Sequence, residues 1–152
     1  MRNAFITAII IVAGLISCRP KTVFFEYHHT SVEGWENEDT LIFCIPGVKE
    51  AGFYNATLGI RSTRKYPFEK ISVVMNQEIL PDGRHLCDTI SCRIVDSDGT
   101  ISGQGITLYQ YEFSLPEINV RQGDSITIKL NHNMRSETIP GITDIGIRIA
   151  KN

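Results

Sequence analysis

Apolar and polar residues alternate over most of this chain, with the two-residue period of strands that bury one face. Leu41, Phe43 and Ile45 keep to one side until Pro46-Gly47 stops the run. Ala56, Leu58 and Ile60 recur within Tyr54 to Arg61, and Ile71, Val73, Met75 and Ile79 within Ile71 to Ile79, with Gln77 the exception. Pro81-Asp82-Gly83 predicts a turn, His85 to Val95 an extended segment ending at Asp96-Ser97-Asp98-Gly99, and Gln122-Gly123-Asp124 a further turn. Ile126, Ile128 and Leu130, then Ile145, Ile147 and Ile149, complete the series. Val23-Phe24-Phe25-Glu26-Tyr27 reads as the first strand from its β-branched and aromatic content. Within Ile106 to Phe113 the apolar side switches, Ile106 and Leu108 against Tyr109, Tyr111 and Phe113, which predicts a bulge or burial on both faces. No three-four helical period persists. Eight or nine short strands separated by turns predict an all-β antiparallel β-sandwich, jelly-roll-like, rather than a barrel.

The N-terminus departs from this pattern. Arg2 precedes an uncharged apolar run from Ala4 to Leu15, and Leu15-Ile16-Ser17-Cys18 sets a small residue directly before a cysteine. That arrangement is a lipobox, so residues 1–17 read as a lipoprotein signal peptide, 18–22 as the lipidated N-terminus with a short tether, and 23–152 as the sandwich domain. The apolar run is shorter than the roughly 20 residues of a spanning helix. Diacylglycerol on the Cys18 thiol plus acylation of the new amino terminus gives the two or three chains that hold a protein firmly to a membrane. The tether Arg19 to Thr22 reaches at most about 14 Å when extended. Arg rather than Asp at position 19, and no acidic run after it, point to the periplasmic leaflet of the outer membrane.

Charge and cysteine count narrow the partners. Lys and Arg number 15 against 17 Asp and Glu, interspersed and summing to −2, which leaves no electrostatic footprint for nucleic acid. With Cys18 assigned to lipid, Cys44, Cys87 and Cys92 remain. On one strand Cys87 and Cys92 stand roughly 16 Å apart, beyond the about 7 Å that a disulfide spans. A Cys87–Cys92 bond therefore requires a tight turn between them, whereas Cys44 can cross-link to either from a neighbouring strand; the alternative is buried or free thiols.

Candidate chemistry is sparse. Asp96-Ser97-Asp98-Gly99 resembles the opening of a calcium loop but lacks the later Glu, and reads as a turn. His28 and His29 point to opposite faces of a strand, and His85 and His132 stand alone. Without a triad, nucleophile elbow, zincin motif or phosphate loop, the sequence offers no catalytic, cofactor-binding or metal-ligating set, and the chain reads as a non-enzyme. Two features suit an interaction. Arg61, with Arg64, Lys65, Tyr66 and Phe68, forms a basic and aromatic patch fit for cation–π and stacking contacts. Trp35, the single tryptophan, is either a sugar-stacking platform or a core plug.

The C-terminal third is more specific. Asn131-His132-Asn133-Met134-Arg135 and Ile139-Pro140-Gly141-Ile142-Thr143-Asp144-Ile145-Gly146-Ile147-Arg148-Ile149 resemble the closing signature of the GldH family of gliding-motility lipoproteins. Trp35, the Leu58 to Arg61 strand with Tyr66-Pro67-Phe68, Asp82-Gly83 with Asp88-Thr89, and Asp98-Gly99 with Gly103 and Gly105 fall in the family's order. In physical terms Gly141 and Gly146 supply positive φ or close approach, and Asp144 accepts from backbone donors to fix a turn. The resemblance implies a lipid-anchored envelope protein with no known enzymatic activity. It also implies a link to gliding motility and to type IX secretion, with membrane contact through Cys18 and envelope proteins as partners. The alternative from another class is a carbohydrate-binding module stacking sugars on Trp35, Tyr66 and Tyr109 or Tyr111.

Overall fold

A computed structural model describes residues 21–152. The strands in chain order are β1 (Lys21–His29), β2 (Trp35–Glu36), β3 (Leu41–Ile45), β4 (Gly52–Thr63), β5 (Lys70–Leu80), β6 (Arg84–Arg93), β7 (Leu108–Ser114), β8 (Ile118–Val120), β9 (Ser125–His132), β10 (Thr138–Ile139) and β11 (Ile142–Lys151). One sheet runs β1-β11-β4-β7, with β8 also pairing β4, and the other runs β3-β9-β5-β6. Every pairing is antiparallel. The chain crosses from sheet to sheet so that its first and last long strands, β1 and β11, lie side by side. With β7 and β8 counted as one interrupted strand along β4, this is the strand order of a jelly roll. Pro116 falls in the interruption, where a residue without an N–H breaks no ladder.

The alternation places the core between the sheets. Leu58 pairs with Ile147 and Ile60 with Ile145 in the first sheet, while Met75 pairs with Leu130 in the second, and all six are buried. Each such side chain contributes about 1.5–3 kcal/mol. Gln77 also points inward and is buried, so the polar exception in β5 keeps the period without changing the face. The outermost strand β6 overhangs its partner sheet. Leu86 and Asp88 occupy its inward register, opposite Gln77 and Met75, yet both are exposed.

Several expectations change here. β1 begins at Lys21, so Lys21 and Thr22 belong to a strand and not to the tether. Ile106 lies outside β7 and is 83% exposed; the switch of side marks the start of the strand at Leu108 rather than a bulge or two-sided burial. Register shifts occur instead between Thr22 and Phe24 in β1 and between Ile142 and Asp144 in β11. Cys44, Cys87 and Cys92 are free thiols among the described residues. Cys44 and Cys87 sit on β3 and β6, the two edges of a four-stranded sheet, three strand spacings or about 14 Å apart. Cys92 points into the core, and burial pushes its thiol up to about 12. No pair can meet.

Trp35 is a core plug. Its indole is wholly buried, its Nε1 donates to the Asp39 carbonyl at 2.9 Å, and the His132 ring meets it edge-on at 5.3 Å. The short β2–β10 ladder, with Trp35 opposite Ile139, fixes it there. Tyr66 is buried as well and donates its hydroxyl to the Lys70 carbonyl at 2.8 Å. Tyr109 and Tyr111 face inward. The exposed sugar platforms expected at these four positions are therefore absent, because each ring fills an inward register position or a loop that closes the core.

Candidate interaction face

Strand register sets three rows of side chains across the outer face of the first sheet. From β1 through β11 and β4 to β7 they read Phe25-Arg148-Thr57-Ser114, Tyr27-Gly146-Gly59-Glu112 and His29-Asp144-Arg61-Gln110. The middle row has no side chain on its two central strands. Tyr27 uses that space. A Cβ on Gly146 would stand 2.6 Å from the Tyr27 ring, and one on Gly59 would overlap its hydroxyl, so the ring lies across both glycines. Gly146 thus serves a close approach, as its position suggested. Gly141, in contrast, takes φ +84 in the turn before β11, packed on the backbone of Tyr66.

Charged groups frame the ring. The Arg61 guanidinium sits 4.1 Å from the Tyr27 ring centroid and its Nε donates to Gln110 Oε1 at 3.4 Å. Arg148 pairs with Glu112 at 2.9 Å. Asp144 is buried although it points outward. Its Oδ2 accepts from the Thr143 hydroxyl at 2.8 Å, and its Oδ1 meets His29 Nδ1 at 2.5 Å, while the His29 ring itself is exposed. The carboxylate thus sits within β11, bonded by a hydroxyl and approached by an imidazole, where backbone donors in a turn were expected. Burial raises the Tyr27 phenol above its ordinary value, the Arg61 charge opposes that, and Glu112 and Asp144 add to it. Phe25 is 59% exposed and touches Tyr27 edge-on at 5.5 Å. The face therefore offers one apolar anchor and fixed charges of both signs, a combination suited to a polar macromolecular surface.

Of the sequence candidates only Arg61 lies on this face; Trp35 and Tyr66 are elsewhere and enclosed. Arg64, expected in the same patch, instead donates from Nε to the Tyr109 hydroxyl at 2.8 Å. Cys18 lies outside the described residues. Tyr27 and Glu112 belonged to no motif, His29 was weighed only as one of an adjacent pair, and Arg148 entered only within the closing signature. Their signal was Phe25, Tyr27 and His29 at two-residue spacing, with glycines inside two strand patterns. The histidines act locally: the His28 ring lies tilted against Phe43 at 4.4 Å, and buried His132 bonds the Trp35 carbonyl at 3.0 Å. Asp96 to Thr100 is a turn closed by Gly99 N–H to Asp96 O at 2.9 Å, with Asp98 Oδ1 accepting from Thr100 N–H. Among the described residues no group of three His, Cys, Asp or Glu is placed to hold a metal.

Fold and face together define an antiparallel jelly-roll domain that presents one mixed aromatic and charged sheet surface. Residues 22–149 match the GldH lipoprotein family, and the chain belongs to it. It is 27% identical to the gliding motility lipoprotein GldH of Flavobacterium johnsoniae, over 89% of this chain and 88% of that one. It is 24% identical to the gliding motility lipoprotein GldH homolog of Christiangramia forsetii, over 100% of this chain and 99% of that one. Among solved structures it aligns with a family GH115 4-O-methyl-α-glucuronidase at TM-score 0.46 and 9% identity, over 90% of this chain and 18% of the enzyme.

Proposed function

We propose that this lipoprotein is a non-catalytic accessory or assembly component of the gliding and type IX secretion machinery. Lipid on Cys18 holds it to the periplasmic leaflet of the outer membrane, and it contacts envelope proteins through the outer face of its first sheet. The observation that carries this reading is the Tyr27–Arg61 face, an ordered polar surface with an exposed Phe25 at its margin, in a chain related to two gliding motility lipoproteins. Lys21, already in β1, follows Cys18 by only three positions in the chain. Partners are thus confined to membrane-embedded or membrane-apposed proteins.

Crosslinking in the native envelope tests the reading. Specific adducts with envelope proteins support it, and recovery as an isolated monomer contradicts it. Protease added to intact cells tests the leaflet: protection is expected, and cleavage would place the domain at the cell surface.

A further inference from the structure

Three lysines converge at the end of the sandwich from which β1 starts. Lys21 opens β1 opposite Lys151 at the end of β11, and Lys49 projects from the loop between β3 and β4. With Val23, Pro46 and Val48 they line a cavity of about 280 Å³. Glu50 lies among them, 4.0 Å from Lys21 and hydrogen-bonded to Lys151, and so holds two of the lysines together. Lys49 is exposed and has no acidic partner among the described residues. Phe53 stands exposed beside this end, at the start of β4.

We propose that this cavity seats the phosphate of an anionic phospholipid headgroup, so that the lipoprotein docks end-on against its own membrane. The inference rests on lipid attachment at Cys18. Lys21 follows Cys18 by three positions, a reach of at most about 10 Å, so an anchored chain holds this end within reach of the headgroups. Its charge is complementary to them. Each lysine near an anionic surface strengthens binding about five-fold at low salt, and three lysines outweigh one glutamate.

The full lipoprotein in phosphatidylethanolamine vesicles, with and without phosphatidylglycerol, provides the test. The mass of its N-terminal peptide reports lipid on Cys18 independently of docking. Amide exchange across residues 47–50 should slow when phosphatidylglycerol is present and recover in Lys49→Gln, a change that breaks no ion pair among the described residues. A chain without residues 1–17 and with Cys18→Ser should partition onto phosphatidylglycerol vesicles and lose about five-fold for each of Lys21, Lys49 and Lys151 replaced by Gln. A lipidated chain with the same exchange in both vesicles overturns the docking while leaving the anchor intact. An unlipidated Cys18 overturns the anchor, and the Cys18→Ser series then decides the headgroup site alone: equal partition of all variants overturns it.

Discussion

Arg61 holds its guanidinium 4.1 Å from the centroid of the Tyr27 ring, and that ring lies against Gly146 and Gly59. The stack joins three strands, β1, β11 and β4, on the outer face of their sheet, away from the core.

Gly146→Ala should disturb it more than Gly59→Ala. The new methyl at Gly146 meets Cγ, Cδ1 and Cε1 at the root of the Tyr27 ring, which a side-chain rotation barely moves, whereas at Gly59 it meets the far, hydroxyl end, which the same rotation swings furthest. Urea unfolding should show a loss of about 1–3 kcal/mol for Gly146→Ala. Tyr27→Ala combined with it should cost less than the sum of the two single changes, since the clash is removed with the ring.

Trp35→Ala should destabilise the domain by about 3–5 kcal/mol, the cost of emptying a large buried site. Trp35→Phe should cost less, losing volume and the hydrogen bond to the Asp39 carbonyl. Native fluorescence from this single tryptophan should be blue-shifted and should move red on unfolding. A solvent-like native spectrum would contradict its burial.

His132 makes stability depend on pH. Burial lowers its pKa from the usual 6.5, against the opposing effect of hydrogen bonds to the backbone of Trp35 and Glu137. The unfolded chain then binds the proton more readily than the folded one. Stability from this group is complete above the unfolded value and falls as pH drops toward the folded one. Melts across that window should show a decline that His132→Gln flattens, at a lower starting stability.

Thiol titration should find Cys44 and Cys87 fast and Cys92 silent until the domain unfolds, because Cys92 is buried and its thiolate strongly disfavoured. An oxidised pair among the three would contradict the strand order.

The second sheet was legible in advance because β3, β5 and β9 each bury one face and so keep a strict period of two. β1 was less so. As an edge strand it carries Glu26 and His28 at inward registers, which blurs its alternation. The two-residue strands β2 and β10 have no period to read, so the enclosure of Trp35 emerged only from their pairing. Tyr27, Gly59, Gly146 and Arg61 lie far apart in the chain and become one surface through register alone, which a single sequence does not display. The paired glycines were visible; their common purpose was not.

The most direct test of a partner-binding role for this surface is site-specific photo-crosslinking in the native envelope. A photoreactive residue replaces Phe25 in one strain and Lys129, on the outer face of the opposite sheet, in another. The account predicts a discrete adduct with an envelope protein from position 25, weakened by Arg61→Ala, and none from position 129. Equal labelling from both positions, or none from position 25 while the protein is correctly anchored and folded, would contradict it.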